Sequence, residues 1–353
     1  MQVKVSALKS ELAWANRFSE AKSTIPILQN VLFEASGQNL TLTGTDLELA
    51  GITRVHGSGK GKWSVSVPVK KLIAYLGKVD EPEVELSTEA NTLTVSHGAA
   101  STTISGMSKE SFPELPTSPE ATITLRGLPL AIKRTSFAIS KEESRFTLNG
   151  ALLEVEGDTG RLVATDGRRL SLAPITVKGA PKLTALIPLA ALTEVARMDE
   201  DSAFAANEDH TFFSWGQRRM IARKLVGTFP DYHRVLRDEY PAHVMIPVTA
   251  TLKTLERVAL YADERSNAVR FKIADGNLTI SASTVEGGSA NGTVTVQPGE
   301  GIPLTIGLDA HYVHDFLTRT DLQFCSFAYS GGKSMVELAT GDGWRMALMP
   351  LKI

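Results

Sequence analysis

A single cysteine, Cys325, in 353 residues excludes an internal disulfide and every multi-cysteine metal site. Its neighbours "LQFCSFA" have strand character, so a buried structural thiol is expected. No run of 18 apolar residues is present to span a membrane. The opening "MQVKVSALKSELAWANRF" carries charges where a signal peptide needs its apolar stretch, so a cytosolic chain without membrane contact is expected. Charge of one sign is also scarce: 37 Lys and Arg against 39 Asp and Glu leave a net charge of −2. That balance excludes bulk attraction to polyanions but says nothing of how the charges are distributed.

Catalytic signatures are missing too. "SGGKS" at 330–334 ends like a phosphate-binding loop, but Phe327 stands where the motif needs its first glycine, and "MVEL" reads as strand where a helix must follow. His311 and His314 are three apart, yet no carboxylate or histidine cluster of ligand spacing surrounds them, so exposed helix surface is the expected role. No Gly-x-Ser-x-Gly elbow occurs. Asp46 and Asp166 recur at equivalent turns, which points to repeat architecture rather than a paired-carboxylate site. Neither enzymatic activity nor a cofactor is expected.

What the chain does contain is a repeat. Leu28 in "PILQNVLFE" corresponds to Leu148 in "FTLNGALLE", Asp46 in "LTLTGTDLELA" to Asp166 in "LVATDGRRLSLA", and Pro68 in "SVSVPVKKL" to Pro188 in "TALIPLAAL"; each pair is 120 residues apart. A fainter third copy keeps register through "NAVRFKI", "LTISAS" and "LTIGLDAHYVHDFL". Three similar domains follow, 1–117, 118–238 and 239–353, with breaks at "PELPTSPEAT" and "RDEYPAH". Within each, alternating apolar runs and helical stretches give the order β-α-β-β-β twice. With strands so numerous and joined by short polar turns, the class is α+β, with antiparallel sheets and helices on one face. "TDGRR" at 165–169 is then a hairpin turn.

The helical stretches 6–17, 69–78, 128–140, 189–197, 249–261 and 310–319 hold eleven basic residues against four acidic ones, in a chain that is acidic overall. If these helices share one face of the sheets, that face is positive. Helices packed side by side lie about 8–10 Å apart, so a ring of six closes to almost nothing. Twelve, from two chains, leave an opening of roughly 20–28 Å. Such an opening admits a DNA duplex, whose phosphates are outermost. A homodimer is therefore expected.

These residues resemble the bacterial DNA polymerase III beta subunit family, the ring-shaped sliding clamps, from end to end. The marks are "STIPILQNVLFE" at 23–34, "FTLNGALLEVEG" at 146–157, "LVATDGRRLSLA" at 162–173, "GTFPDYHRVL" at 227–236 and "MPLKI" at 349–353. The resemblance implies a three-domain DNA-clamp fold in a head-to-tail dimeric ring, with helices lining the inside and sheets outside. It further implies that the ring encircles duplex DNA and tethers the polymerase III catalytic subunit, the clamp loader and repair polymerases through short linear motifs.

Carried over by motif, the partner groove between domains two and three comprises Leu148, Thr165, Gly167, Arg168, Arg169, Leu170, Pro230, Arg234 and Val235. Asp309, Tyr312, Ser334, Leu348, Met349, Pro350 and Leu351 complete it. The resemblance implies sequence-blind phosphate contacts at Lys22, Arg145, Phe146 and Thr147, joined by the helix residues Lys70, Lys71, Lys133, Arg134, Arg197, Lys253 and Arg257. It places the dimer seam at Thr102, Ile104, Leu260 and Tyr261. The sequence departs from the commoner family pattern at Arg168, at Ser266 and at the ending Lys352-Ile353, which implies an altered partner preference.

Overall fold

The structure, a computed structural model, describes all residues except 21, 121–122, 179–181, 199–200, 238, 285–286, 298–301 and 353. Ile353 of the tail and the expected domain boundary at 238 thus lie outside the described residues. Among those described are 24 strands and six α-helices: α1 (Val5–Ala15), α2 (Lys70–Leu76), α3 (Leu128–Thr135), α4 (Leu189–Val195), α5 (Val248–Ala259) and α6 (Ala310–Leu317). Strand, helix and three further strands follow one another six times, as the repeat predicts. The helices are shorter than the sequence pattern suggests. After α3, for example, the Thr135 hydroxyl turns back to the Ala131 carbonyl at 2.8 Å and the chain tightens into a 3-10 turn at Ser136–Ala138.

The chain divides into two compact units, residues 1–124 with 200–224, and residues 125–199 with 225–353. These units cut across the middle repeat for a reason visible in the first. Strand Arg218–Arg223 continues the sheet of the first repeat by pairing with Leu49–Ser58 in the register Arg218↔Thr53 to Ala222↔Leu49.

In this unit α1 is held by a stripe of Leu8, Leu12 and Ala15, spaced at four and three residues, which places them on one helical face. They pack with Leu72 and Leu76 of α2 against Phe33, Leu42, Val55 and Val65 of the strands. The end of α1 descends onto the sheet where Gly44 and Gly51 face each other. A Cβ on Gly44 would meet the Ala15 carbonyl oxygen at 2.2 Å, and one on Gly51 the Phe18 ring at 2.2 Å.

Glu11 leaves the apolar stripe and forms a bidentate pair with Arg218, both contacts at 2.9 Å, and accepts from the Thr53 hydroxyl at 2.6 Å. Burial pushes the Glu11 carboxyl up, but the bonds from Arg218 and Thr53 outweigh it and hold the group below its ordinary range.

In the second unit, α3 packs on the antiparallel sheet of Gly150–Glu156, Thr159–Thr165, Arg169–Lys178 and Leu183–Pro188. A separate four-stranded sheet orders Ser289–Thr295, Asn277–Ser283, Ala268–Ala274 and Leu304–Asp309. The unit's core contains Trp344, Tyr329, Phe327, Phe316 and Phe271, all fully buried. Cys325 is buried as its neighbours suggest, and desolvation pushes its thiol up to about 12, so it stays protonated. The final strand, Arg345–Leu348, pairs with Arg169–Leu172, which brings the end of the chain alongside the "TDGRR" turn.

Candidate functional site: a slot at the TDGRR turn

The turn is fixed by its own polar side chains. Thr165 Oγ1 accepts from the Gly167 amide at 3.1 Å and donates to the Arg169 carbonyl at 2.6 Å. Asp166 Oδ1 accepts from the amides of Arg168 and Arg169 at 2.9 and 3.0 Å. Gly167 has φ 86°, a left-handed conformation that favours glycine. Arg145 closes over it, donating to the Asp166 carbonyl at 2.8 Å.

Arg169 is the keystone and points inward. Its guanidinium meets Asp166 at 3.0 Å and Asp315 of α6 at 2.7 Å, donates to the Phe137 carbonyl, and lies over the Tyr312 ring at 4.1 Å. A planar fork bridging two carboxylates and stacking on an aromatic face is a task lysine cannot perform. The Met349 amide donates to the Arg168 carbonyl at 2.9 Å, so the backbone beyond the last strand follows the turn.

Between these walls is a slot of about 160 Å³. Leu148, Leu170, Pro230, Val235 and Met349 line it with Thr165, Gly167, Arg168 and Arg169 at one end, and Tyr232, Met335 and Ala347 complete the lining. Small-molecule pockets usually occupy ~300–1,000 Å³. The slot is smaller and mostly apolar, suited to one or two anchor side chains of a docked segment. Its floor rests on Val163, Leu172 and Tyr232. The Tyr232 hydroxyl donates to Glu154 and accepts from Arg161 at 3.3 Å. Burial, then the bond to Glu154, raises its pKa, so it remains a neutral donor.

Nine expected groove residues thus come together and seven do not line the slot. Leu348 is buried and faces away, because successive side chains of a strand alternate and Ala347 and Met349 occupy the slot side. Pro350 is half-buried off the slot, and the Leu351 amide donates to the Gly307 carbonyl at 2.8 Å. Ser334 closes a turn on Gly331 beside the lining residue Met335. Arg234 is 86% exposed and pairs with Asp231 at 2.9 Å. Asp309 caps α6 through the His311 amide at 2.9 Å, and Tyr312 supports Arg169 from below. Ser266 bonds to Asp263 at 2.9 and 3.0 Å and also lies off the slot.

The three missed residues had usable signals. Tyr232 lies inside "PDYHRV" and 120 residues after Phe112; Ala347 shares its strand face with Met349; Met335 adjoins Ser334.

Of the expected phosphate contacts, Lys22, Lys70 and Lys71 are exposed in the first unit, and Lys133, Phe146, Arg197, Lys253 and Arg257 in the second. Arg145 and Thr147 are half-buried. Arg134 corrects the expectation. Its side chain is 12% exposed, pairs with Asp342 at 2.8 Å and lies over Trp344, so it stabilises the fold instead of offering charge to a ligand. Arg197 is held by Glu194 at 2.5 Å. His311 and His314 contact Asn267 and Glu256 respectively, at 3.1 and 3.3 Å.

Three family models tile the chain in order: the N-terminal domain of the DNA polymerase III beta subunit over residues 1–116, the central domain over 122–231 and the C-terminal domain over 233–348. The chain belongs to the DNA polymerase III beta subunit family. Among its relatives, the beta sliding clamp of Pseudomonas aeruginosa is 30% identical and that of Pseudomonas putida 29%; each match covers 95% of this chain and 94% of the relative. The crystal structure of the Pseudomonas aeruginosa subunit matches with a TM-score of 0.92 at 28% identity, over 100% of this chain and 99% of that one. The clamp of that organism has also been solved bound to griselimycin, with a TM-score of 0.92 at 27% identity. The fold is therefore the three-domain α+β clamp fold, and family membership makes the chain a non-catalytic sliding clamp rather than an enzyme.

Within the clamp fold, several strands have a single strand neighbour among the described residues, and two of these bear on the expected seam. Ala100–Ser105, which carries the half-buried Thr102 and Ile104, is paired only with Thr92–His97 in the first unit. Ser289–Thr295 is paired only with Asn277–Ser283 in the second. Just past α5, Leu260 is 81% and Tyr261 41% exposed, an apolar pair left in solvent.

Proposed function

We propose that two copies of this clamp close head to tail into a ring around duplex DNA and tether replication and repair proteins through the slot at the "TDGRR" turn. The observation that carries the reading is the slot itself. It joins a turn whose backbone is fixed by the side chains of Thr165 and Asp166 to a small apolar concavity whose buried floor ends at the exposed Met349. Its occupant is a short linear motif, a glutamine followed by hydrophobic anchors, presented by the polymerase III catalytic subunit, the clamp loader and repair polymerases. Leucine, methionine and proline supply the apolar contact, and Arg168 at the rim orients the peptide.

Edge chemistry supports the ring. An unpaired strand edge is a liability unless it is covered, and two unlike edges can cover each other in a head-to-tail pair. The edge at 100–105 would then meet the edge at 289–295 of the partner subunit, with Leu260 and Tyr261 buried in the seam. Exposed basic residues on the helices, without Arg134, would face the phosphates and allow sliding, since such contacts carry no sequence information. Boundaries at 117 and 238 would separate the three repeats, and the whole would act in the cytoplasm. Among the described residues no helix is long and apolar enough to cross a membrane.

Topology supplies the test. Phosphate contacts weaken steeply with salt, so affinity for short linear DNA will be poor near physiological ionic strength. A clamp loaded onto circular DNA by a clamp loader will remain there and run off once the circle is cut. Equal retention on cut and uncut DNA identifies an ordinary binder and refutes the ring.

A further inference from the structure

The repeat that builds the slot in the second unit builds a different cleft in the first. Strands Val31–Ser36, Asn39–Thr45 and Leu49–Ser58 form its floor, and the segment 109–115 forms its wall, enclosing about 420 Å³. The correspondence at 120 residues is close: Leu32 stands for Leu152, Glu34 for Glu154, Phe112 for Tyr232 and Leu115 for Val235. Two substitutions change the chemistry. Phe112 has no hydroxyl where Tyr232 binds Glu154, and Thr41 replaces Arg161. Glu34 consequently lacks both partners that its counterpart keeps, and its side-chain partner among the described residues is Lys109 at 2.5 Å, a side chain 52% exposed.

Two more carboxylates stand on the same wall. Glu110 accepts from the Ser108 hydroxyl, and Glu114 makes no hydrogen bond or ion pair among the described residues. The cleft thus presents three carboxylates to one lysine. Beneath this rim are two separate apolar patches, Leu32 with Phe112, and Ile52 with Leu115. A compact ion would leave the half-buried Ile52 and Leu115 uncovered beside the buried Leu32 and Phe112, and a purely apolar ligand would leave the carboxylates uncompensated. One extended segment that alternates apolar and cationic side chains satisfies both.

We infer that this cleft is a second docking site, for an extended segment of a partner protein carrying large apolar side chains flanked by lysine or arginine. Its charge preference is opposite to that of the slot with Arg168 at its rim, so the two sites sort different partners. An incoming cation takes the place of Lys109 at Glu34, and further cations meet Glu110 and Glu114. The apolar side chains cover the two patches.

The test uses the full chain and a fluorescein-labelled peptide, Lys-Leu-Arg-Ser-Leu-Phe-Lys-Arg, read by anisotropy. Saturable binding is expected with a Kd on the order of 100 µM or tighter, weakened about tenfold or more in the double variant E110K/E114K and by added salt. In the unaltered protein the peptide should shift the methyl signals of Leu32, Ile52 and Leu115, a readout that does not depend on a variant folding. The same double variant should bind the glutamine-plus-hydrophobic peptide unchanged, which separates this site from the slot. Lack of saturation overturns the inference, as does equal binding of a control peptide with glutamate in place of each Lys and Arg. Unchanged affinity in E110K/E114K, or methyl shifts confined to other residues, overturns it as well. If E110K/E114K abolishes self-association of the chain, the occupant is a second copy and the inference fails.

Discussion

Arg169→Ala is the most informative single change at the slot. The guanidinium side chain is 10% exposed and joins Asp166, 17% exposed, to Asp315, 26% exposed. Removing one partner of a buried pair typically costs ~3–5 kcal/mol, because the remaining charge is left uncompensated. Here the carboxylates retain some solvent, and Asp315 keeps Arg319 at 2.8 Å, so the cost should fall to about 2–3 kcal/mol. Asp166 bears most of it, and Asp166 is the acceptor that fixes the amides of Arg168 and Arg169. Hydrogen exchange of a peptide covering 162–173 should therefore accelerate by about 30- to 150-fold, while peptides covering α1 and its sheet in the first unit keep their rates. Affinity for the glutamine-plus-hydrophobic peptide should fall in parallel, because the turn is one wall of the slot. Arg169→Lys should recover little, since an ammonium cannot bridge both carboxylates and lie flat on Tyr312. Unchanged exchange in Arg169→Ala would refute the keystone role and leave the turn held by Thr165 and Asp166 alone.

Met349→Ala removes a half-exposed apolar anchor from the slot and should weaken the same peptide by about fivefold, roughly 1 kcal/mol, in a calorimetric titration. Arg234→Ala, on a side chain already in solvent, should leave that titration unchanged. Replacing the exposed Leu260 and Tyr261 by aspartate should convert a dimer to monomers in sedimentation while each unit keeps its circular dichroism, because a charge at these positions is desolvated only in a seam. The depressed carboxyl of Glu11 sets a pH dependence. Its ordinary value is 4.5 and its folded value lies lower, so the pair with Arg218 stabilises fully above the ordinary value and is lost as pH falls through the folded one. The difference in melting temperature between the native chain and Glu11→Gln should be constant near neutrality and shrink below about pH 4.5.

The order of elements was set by sequence alone. Local signals suffice for it: apolar alternation such as "NVLFEA" makes a strand, the spacing of Leu8, Leu12 and Ala15 makes a helix, and a 120-residue offset repeats both. The same offset and the "TDGRR" motif located one wall of the slot. Which face each side chain takes near a chain end was not local. Leu348 and Ala347 are equally apolar in the sequence, and only the pairing of Arg345–Leu348 with Arg169–Leu172 turns one into the core and the other toward the slot.

Charge told a similar story. Counting basic residues on helices treats Arg134 and Lys133 alike, yet Arg134 finds Asp342 and Trp344 two hundred residues away and Lys133 does not. Arg168 and Arg169 are adjacent and identical in type; tertiary contacts to Asp315 and Tyr312 make the second a structural keystone and leave the first at the rim. Sequence fixes what can be decided within a few residues or by repetition. Long-range packing decides which charges are spent inside the molecule and which remain for a partner, because an ion pair depends on distances that only the folded chain sets.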